Sequence, residues 1–276
     1  MVPAELTDKR RGERLSKAIA GAGVASRRDV EALIAAGRVF VNGQPVTRMP
    51  AWVDLEVDRV EVDGEAIGPR HTRAKGGRLT YVMLHKPKRV ITTTRDPEGR
   101  ANVLDLIDLP ATRAGRLFPV GRLDADSTGL ILLTNDGDLA HHLTHPRYEV
   151  PKRYQLSVRG IVEDADIEKL RRGLILATRG KPSRKVSMAQ VKLIRRIRDA
   201  KHGDRTSLMV TLREGQNREI RRLVARLGYK VRRLERVALG PLRLKGLATG
   251  QWRMLTGQEV RELYRASGLK WKGKKG

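Results

Sequence analysis

The 276-residue chain contains no cysteine. That excludes disulfides, thiolate-ligated zinc and a thiol nucleophile together, and it fits a reducing compartment. Aromatic residues make up only 4%, too few for wholesale stacking on single-stranded nucleic acid. No apolar run approaches the ~20 residues of a membrane span. The opening MVPAELTDKRRGERL lacks the apolar centre of a secretory signal. A soluble, cytoplasmic protein is expected. Acid is scarce beside base: 31 Asp plus Glu face 57 Lys plus Arg, a formal net charge of +26. Such a surplus points to a polyanion, because each cation set beside a phosphate releases condensed counterions. There is no phosphate-loop motif, no dinucleotide-binding glycine fingerprint and no cluster of metal-ligating residues. No cofactor and no metal are expected.

What is present suggests two units joined by a linker. The first ten or so residues are polar, and order is expected to begin near Glu13. Leu15, Ala18, Ile19 and Ala22 fall on one apolar face of a short helix. Ser26, with Asp29 three residues on, is placed to cap a second helix whose stripe is Val30, Leu33 and Ile34. Val39 to Val41 reads as a strand, Asn42-Gly43 as a tight turn, and Val57 to Ile67 as a further β-rich stretch turning at Asp63-Gly64. Residues 68–78, GPRHTRAKGGR, have the composition of a linker. A larger unit of alternating strands and helices starts at Leu79, and the lysine-rich residues 267–276 read as a basic tail.

The first helical pair is cationic outside, with Arg14, Lys17, Arg27, Arg28 and Arg38. Arg27 and Arg28 oppose the helix dipole in the first turn of the second helix, so something other than helix stability favours them. Backbone phosphate is the natural partner; the alternative is a solvated charged face. The run RLSKAIAGAGVASRRDVEALIAAGRVFVNGQPV resembles the S4 RNA-binding domain. The resemblance implies a small helix-rich RNA-binding module in which those five cations are candidate contacts.

The segment FPVGRLDADSTGLILLTNDG, Phe118 to Gly137, is the most informative. It reads as a turn followed by a buried strand, which sets Asp124 and Asp126 at the edge of a core element. From residue types alone three fates compete, with amide capping the favoured one. The pair makes a poor divalent-cation cage, caps local amides as turn aspartates do, or includes a reactive carboxylate kept ionised by an arginine. The order GRLDADSTGLILLTNDG resembles the signature of the RsuA/RluB-type pseudouridine synthases. That resemblance implies Asp124 as the catalytic residue, with Arg122 beside it in the motif. The segment Lys152-Arg153-Tyr154 resembles the family's strand in which a tyrosine, here Tyr154, stacks on the target base.

The stretch REGQNREIRRLVARLG, Arg213 to Gly228, reads as a helix with Ile220, Leu223, Val224 and Leu227 buried. Arg218 and Arg222 then point away from that stripe, and Arg221 lies on its flank, where a packed stem can reach a half-buried carboxylate. The resemblance places the active-site basic residue there too. Arg221 is thus the expected partner of Asp124, and Arg218 and Arg222 are expected phosphate contacts. Gln216, the Ala177 to Gly180 stretch and the basic run Lys192 to Lys201 depart from the family's usual pattern.

The expected fold is α+β: an S4-like domain at 13–67, a linker at 68–78, a catalytic domain at 79–266 with a mixed, largely antiparallel sheet and a central cleft, and the tail at 267–276. The expected function is isomerisation of a uridine in ribosomal RNA, large-subunit (23S) RNA favoured over small-subunit (16S) RNA. The expected partners are ribosomal RNA and ribosome-assembly intermediates, and the expected state is a monomer. A non-catalytic RNA-binding assembly factor is the alternative from another class. A glycosidase built on Asp124 and Asp126 is the weakest, because the two are not expected to converge on one bond.

Overall fold

The computed structural model describes residues 3–67, 79–110, 115–178, 181–216 and 218–271. The expected linker and the last five residues of the expected tail lie outside them. The chain divides into two compact units, residues 1–80 with 109–116 and residues 81–108 with 117–276.

In the first unit, the apolar spacing gives α1 (Leu15–Gly21) and α2 (Arg27–Ala35). Ser26 caps α2 through a reciprocal box with Asp29, at 3.1 and 3.2 Å, satisfying two amides that the first turn leaves open. Strands β1 (Glu13–Arg14) and β4 (Trp52–Val53) pair beside a four-stranded antiparallel sheet. Its members are β2 (Val39–Val41), β3 (Gln44–Pro45), β5 (Val60–Val62) and β6 (Glu65–Ile67), in the order β3-β2-β5-β6. Asn42 and Gly43 both take positive φ, as the tight hairpin between β2 and β3 requires.

Two expectations need correction. Order does not begin at Glu13: Leu6 is fully buried in the core of this unit. Arg11 also grips the buried Asp58, from Nε at 2.9 Å and from Nη2 at 2.5 Å. That hydrogen-bonded cation holds the Asp58 carboxyl down at about 2, with help from the Asp54 amide and Asn42. A single apolar anchor in a polar segment carries no periodicity, so the sequence did not disclose it. Likewise Val57 is exposed in a turn, and the strand begins only at Val60.

The second unit is built on a nine-stranded mixed sheet. Its main path is β13 (Gln190–Ile197), β14 (Arg205–Leu212), β10 (Lys152–Arg159), β15 (Lys230–Leu239), β9 (Thr128–Thr134), β7 (Tyr81–Lys86) and β17 (Trp252–Met254). Strands β8 (Phe118–Pro119) and β16 (Leu242–Arg243) pair off this path with β9 and β15. Every pairing is antiparallel except β9 with β15. A hairpin of β11 (Leu174–Thr178) and β12 (Lys181–Val186) stands apart from the sheet. The helices are α3 (Gly137–Thr144), α4 (Asp164–Arg172), α5 (Glu219–Arg226) and α6 (Gly257–Ala266).

One side of the core joins Tyr81, Met83, Leu130 and Leu132 to Leu139, Leu143, Val260 and Leu263. Asp136 does more than end β9: it caps α3 by accepting from the Leu139 amide at 3.0 Å, and it accepts from the buried hydroxyls of Tyr81 and Tyr264. Gly129 is required where the single parallel pairing occurs. Its φ is +110°, and a Cβ there would overlap the backbone of Arg236. Among the described residues no helix is long and apolar enough to cross a membrane.

Candidate active site

The segment from Gly121 to Ser127 is a pinned turn feeding β9. The Ser127 amide donates to the Asp124 carbonyl at 3.1 Å, closing the turn. Thr92 holds its start from both sides, donating to the Leu123 carbonyl at 2.9 Å and accepting from the Leu123 amide at 3.2 Å. The Arg89 amide donates to the Ala125 carbonyl at 2.7 Å. Beneath it lies Lys86, at the end of β7 and completely buried. Its ammonium donates to the carbonyls of Pro87 at 2.8 Å, Ser127 at 2.9 Å and Ala125 at 3.4 Å. Burial pushes Lys86 down to about 8, opposed by the negative charges of Asp126 and Asp124.

Asp124 is thereby presented at the rim of a cleft of about 380 Å³. Arg122, Tyr154, Lys152, Arg218, Glu219 and Arg236 line the same cleft. Arg221 reaches it from the first turn and a half of α5. Its Nε lies 3.7 Å from Asp124 Oδ2 and its Nη2 lies 3.2 Å from Asp126 Oδ2. Its side chain is only 13% exposed, against 29% for Asp124. The flank position on the helix delivers this geometry: Ile220, Leu223 and Val224 are buried, and Arg221 leans out beside them. Among the described residues Arg221 Nε has no hydrogen-bond partner, so a buried donor waits beside the carboxylate.

Asp126 shares the Arg221 guanidinium with Asp124, but of the two only Asp124 lines the cleft. The segment is a turn closed on Asp124, and both carboxylates come within 4 Å of one guanidinium. Tyr154 is 7% exposed and faces the cleft from β10. Arg218 also lines the cleft, although not from a helix face: it takes a left-handed conformation, φ 52°, just before α5. Arg222 turns elsewhere and donates to the Ala177 carbonyl.

Four cleft or loop residues escaped the sequence reading as site residues: Lys86, Lys152, Glu219 and Arg236. Lys86, Lys152 and Arg236 are charged side chains buried in line with the inward residues of their strands, and Glu219 is buried at the first residue of α5. A charge at an inward position is the available signal. Arg236 donates from Nε to the Leu130 carbonyl at 2.7 Å, across the parallel pairing, and its buried Nη2 has no hydrogen-bond partner among the described residues. Lys152 donates to the Val150 carbonyl at 3.0 Å. Burial and then the nearby Arg236 charge bring it down to about 8, opposed by Glu219. Burial pushes Glu219 up, partly offset by the Gln216 amide that donates to it at 2.8 Å.

In the first unit the candidate RNA contacts are spread and shallow. Arg27 and Arg28 are exposed in the first turn of α2. Arg38 forms a bidentate pair with Asp63 at 2.6 and 2.7 Å. Lys17 lies 3.5 Å from Glu13, and Arg14 lies in β1 with its guanidinium 5.7 Å from the Trp52 ring.

The comparisons with known proteins agree across both units. The model of the RNA pseudouridylate synthase family matches residues 80–226, and that of the S4 domain matches residues 13–48. An uncharacterized RNA pseudouridine synthase of Aquifex aeolicus is 40% identical over 94% of this chain and 96% of its own. The ribosomal large subunit pseudouridine synthase B of Bacillus subtilis is 39% identical over 91% of this chain and 95% of its own. A crystal structure of a pseudouridylate synthase superposes with a TM-score of 0.59 at 28% identity, covering 91% of this chain and all of that one.

Proposed function

The chain belongs to the RNA pseudouridylate synthase family, and from that premise we propose that it isomerises a uridine of ribosomal RNA, large-subunit RNA favoured, through Asp124. The observation that carries the proposal is that Asp124, paired with Arg221, lines the same cleft as Tyr154.

The reaction breaks the N1–C1′ bond of uridine, turns the base and joins C5 to C1′. N1 gains a proton and C5 loses one, so nothing is oxidised or added. The task calls for a carboxylate at C1′ and the uracil ring, as nucleophile or as stabiliser of the cationic or glycal species. Arg221 faces that carboxylate and fixes its position. Its spare Nε is the donor that a slight closing of the 3.7 Å gap would satisfy, as catalytic contacts often tighten only when substrate binds. Tyr154 offers a ring face to the extruded base, and unstacking that base costs a few kcal/mol that phosphate contacts offset. Arg122 and Arg218 line the cleft as cations for the flanking phosphates. The S4 domain, through Arg14, Lys17, Arg27, Arg28 and Arg38, adds a second hold on the RNA. The favoured setting is the cytoplasm, with a monomer acting on ribosomal RNA or on an assembly intermediate. The large-subunit preference rests on relatives such as the Bacillus subtilis synthase B.

The test is tritium release from [5-³H]uridine-labelled ribosomal RNA, naked and in assembly intermediates, comparing the protein with Asp124→Asn. Release is expected from the wild type, with a fall of at least about 10³-fold in the variant. Tight binding without release by the wild type would favour the non-catalytic assembly factor.

A further inference from the structure

The central sheet of the second unit has two faces, and the cleft uses one of them. Along β10, Lys152, Tyr154, Leu156 and Val158 are buried, while Gln155, Ser157 and Arg159 alternate toward solvent. The register carries that outer face across four strands. Ser157 pairs with Ser207 of β14 and Arg233 of β15, and Ser207 pairs with Arg195 of β13. One rung therefore sets two small hydroxyls between two arginines, all on the same side. The shift in β15 leaves Arg232 without a partner between Val231 and Arg233. A bulge of this kind turns consecutive side chains to one rim, and both Arg232 and Arg233 line the result: an outer groove of about 570 Å³.

Five cations, Lys88, Arg195, Arg205, Arg232 and Arg233, line this groove with one acid, Glu235. Glu235 is engaged, with its carboxylate 3.2 Å from His85 Nε2. Arg205 stands 4.0 Å from Asp199. The other four cations have no acidic partner among the described residues. Like charges gathered round one trough repel, and a polyanion relieves that repulsion.

We propose that this outer groove holds the sugar–phosphate backbone of a helical RNA segment flanking the target uridine. No aromatic ring lines it, so it offers bases no stacking platform. Serine hydroxyls and a glutamine amide on its floor suit phosphates and 2′-hydroxyls, the groups a helical stem presents. The groove also begins where the Asp124 turn ends. Lys88 follows two residues after Lys86, and its neighbour Arg89 is bonded to Ala125. That shared loop ties the groove, on the opposite face of the sheet, to the turn that carries Asp124. That the RNA is the substrate rests on the isomerase reading; the affinity of the groove for RNA does not.

The test uses the full chain carrying Arg195→Gln with Arg233→Gln, and separately Arg195→Glu with Arg233→Glu. Neither residue lines the cleft. Binding to a 23S ribosomal RNA transcript and to single-stranded oligouridine is measured across a salt series, together with tritium release and the melting temperature. For the transcript, affinity is expected to fall ~10-fold or more, and the salt slope by about 2, one for each phosphate contact removed. Oligouridine affinity stays unchanged, KM for the transcript rises and kcat holds within about twofold. Should the Glu pair fail to fold, the Gln pair, with an unchanged melting temperature, still reads the groove. Unchanged transcript affinity and slope would overturn the proposal, as would a selective loss of binding to poly-glutamate, which would assign the groove to an acidic protein. If the wild type releases no tritium, the isomerase reading fails while the binding arm still decides the groove.

Discussion

The cations around the cleft and those on the α1–α2 surface of the first unit are held in opposite ways. In the second unit Lys86, Lys152 and Arg236 are buried and bonded to backbone carbonyls, and Arg221 is nearly so beside two carboxylates. In the first unit Arg27 and Arg28 stand in solvent, and Arg38 shares its charge with a surface aspartate. Burial costs several kcal/mol per charge unless partners satisfy it, so it is tolerated where position matters. Exposure costs little and supplies long-range attraction, screened within about a Debye length. On the proposed function, the cleft is expected to fix geometry and the S4 surface to add affinity. Each variant below separates these two uses.

After Asp124, the largest effect is expected at Arg221. Replacing it by methionine keeps the packed stem but removes the charge that faces Asp124 and Asp126. Turnover should fall ~10²–10³-fold, the scale of losing one preorganised charge partner, with RNA affinity changed only a few-fold. Arg221→Lys should recover part of kcat. An equal loss in affinity and turnover would instead make Arg221 a binding residue. Tyr154→Ala follows, with a ~10- to 100-fold loss in kcat/KM from a missing base–aromatic contact worth about 1–3 kcal/mol. Tyr154→Phe, which keeps the ring face, should stay within a few-fold of wild type.

Lys86 makes a prediction about stability. Its folded value is about 8 and its ordinary value is 10.5. Between those pH values the unfolded chain holds the proton and the folded one does not, so Lys86 favours folding increasingly as pH rises. Below pH 8 both states are protonated and the full cost of the buried charge applies. Denaturant unfolding of wild type minus Lys86→Met should therefore shift toward wild type between pH 8 and 10.5, by on the order of 3 kcal/mol. A flat difference would mean that the ammonium is stabilised by its three carbonyls as well as by water.

Much of this arrangement was legible before the fold was known. The flank position of Arg221 followed from the apolar spacing of Ile220, Leu223 and Val224, and the capping box of Ser26 and Asp29 was written in four residues. Asp124 was another matter: residue types alone favoured a capping role, and only the ordered motif singled it out. What could not be read depended on tertiary register. Leu6 anchors a polar segment with no pattern around it. Arg218 leaves the helix because the backbone turns left-handed there. The outer groove exists because Arg195, Ser207, Ser157 and Arg233 come into one rung and a bulge turns Arg232 beside them, none of which local periodicity encodes.

The smallest effect is the most discriminating for the S4 surface. Arg27 and Arg28 sit in the first turn of α2, where the helix dipole disfavours positive charge by about 0.3–1 kcal/mol per residue. Replacing both with glutamine should raise the melting temperature of the unit slightly, because the capping box of Ser26 and Asp29 stays intact. If phosphate is what those arginines meet, RNA affinity should fall a few-fold and the salt slope by roughly 1–2, while kcat at saturating RNA stays the same. Opposite signs in stability and binding are the mark of a charge kept for a partner. A gain in stability with no loss of affinity would make the pair a solvated face, and the hold of the S4 domain on RNA would then have to come from Arg14 and Lys17.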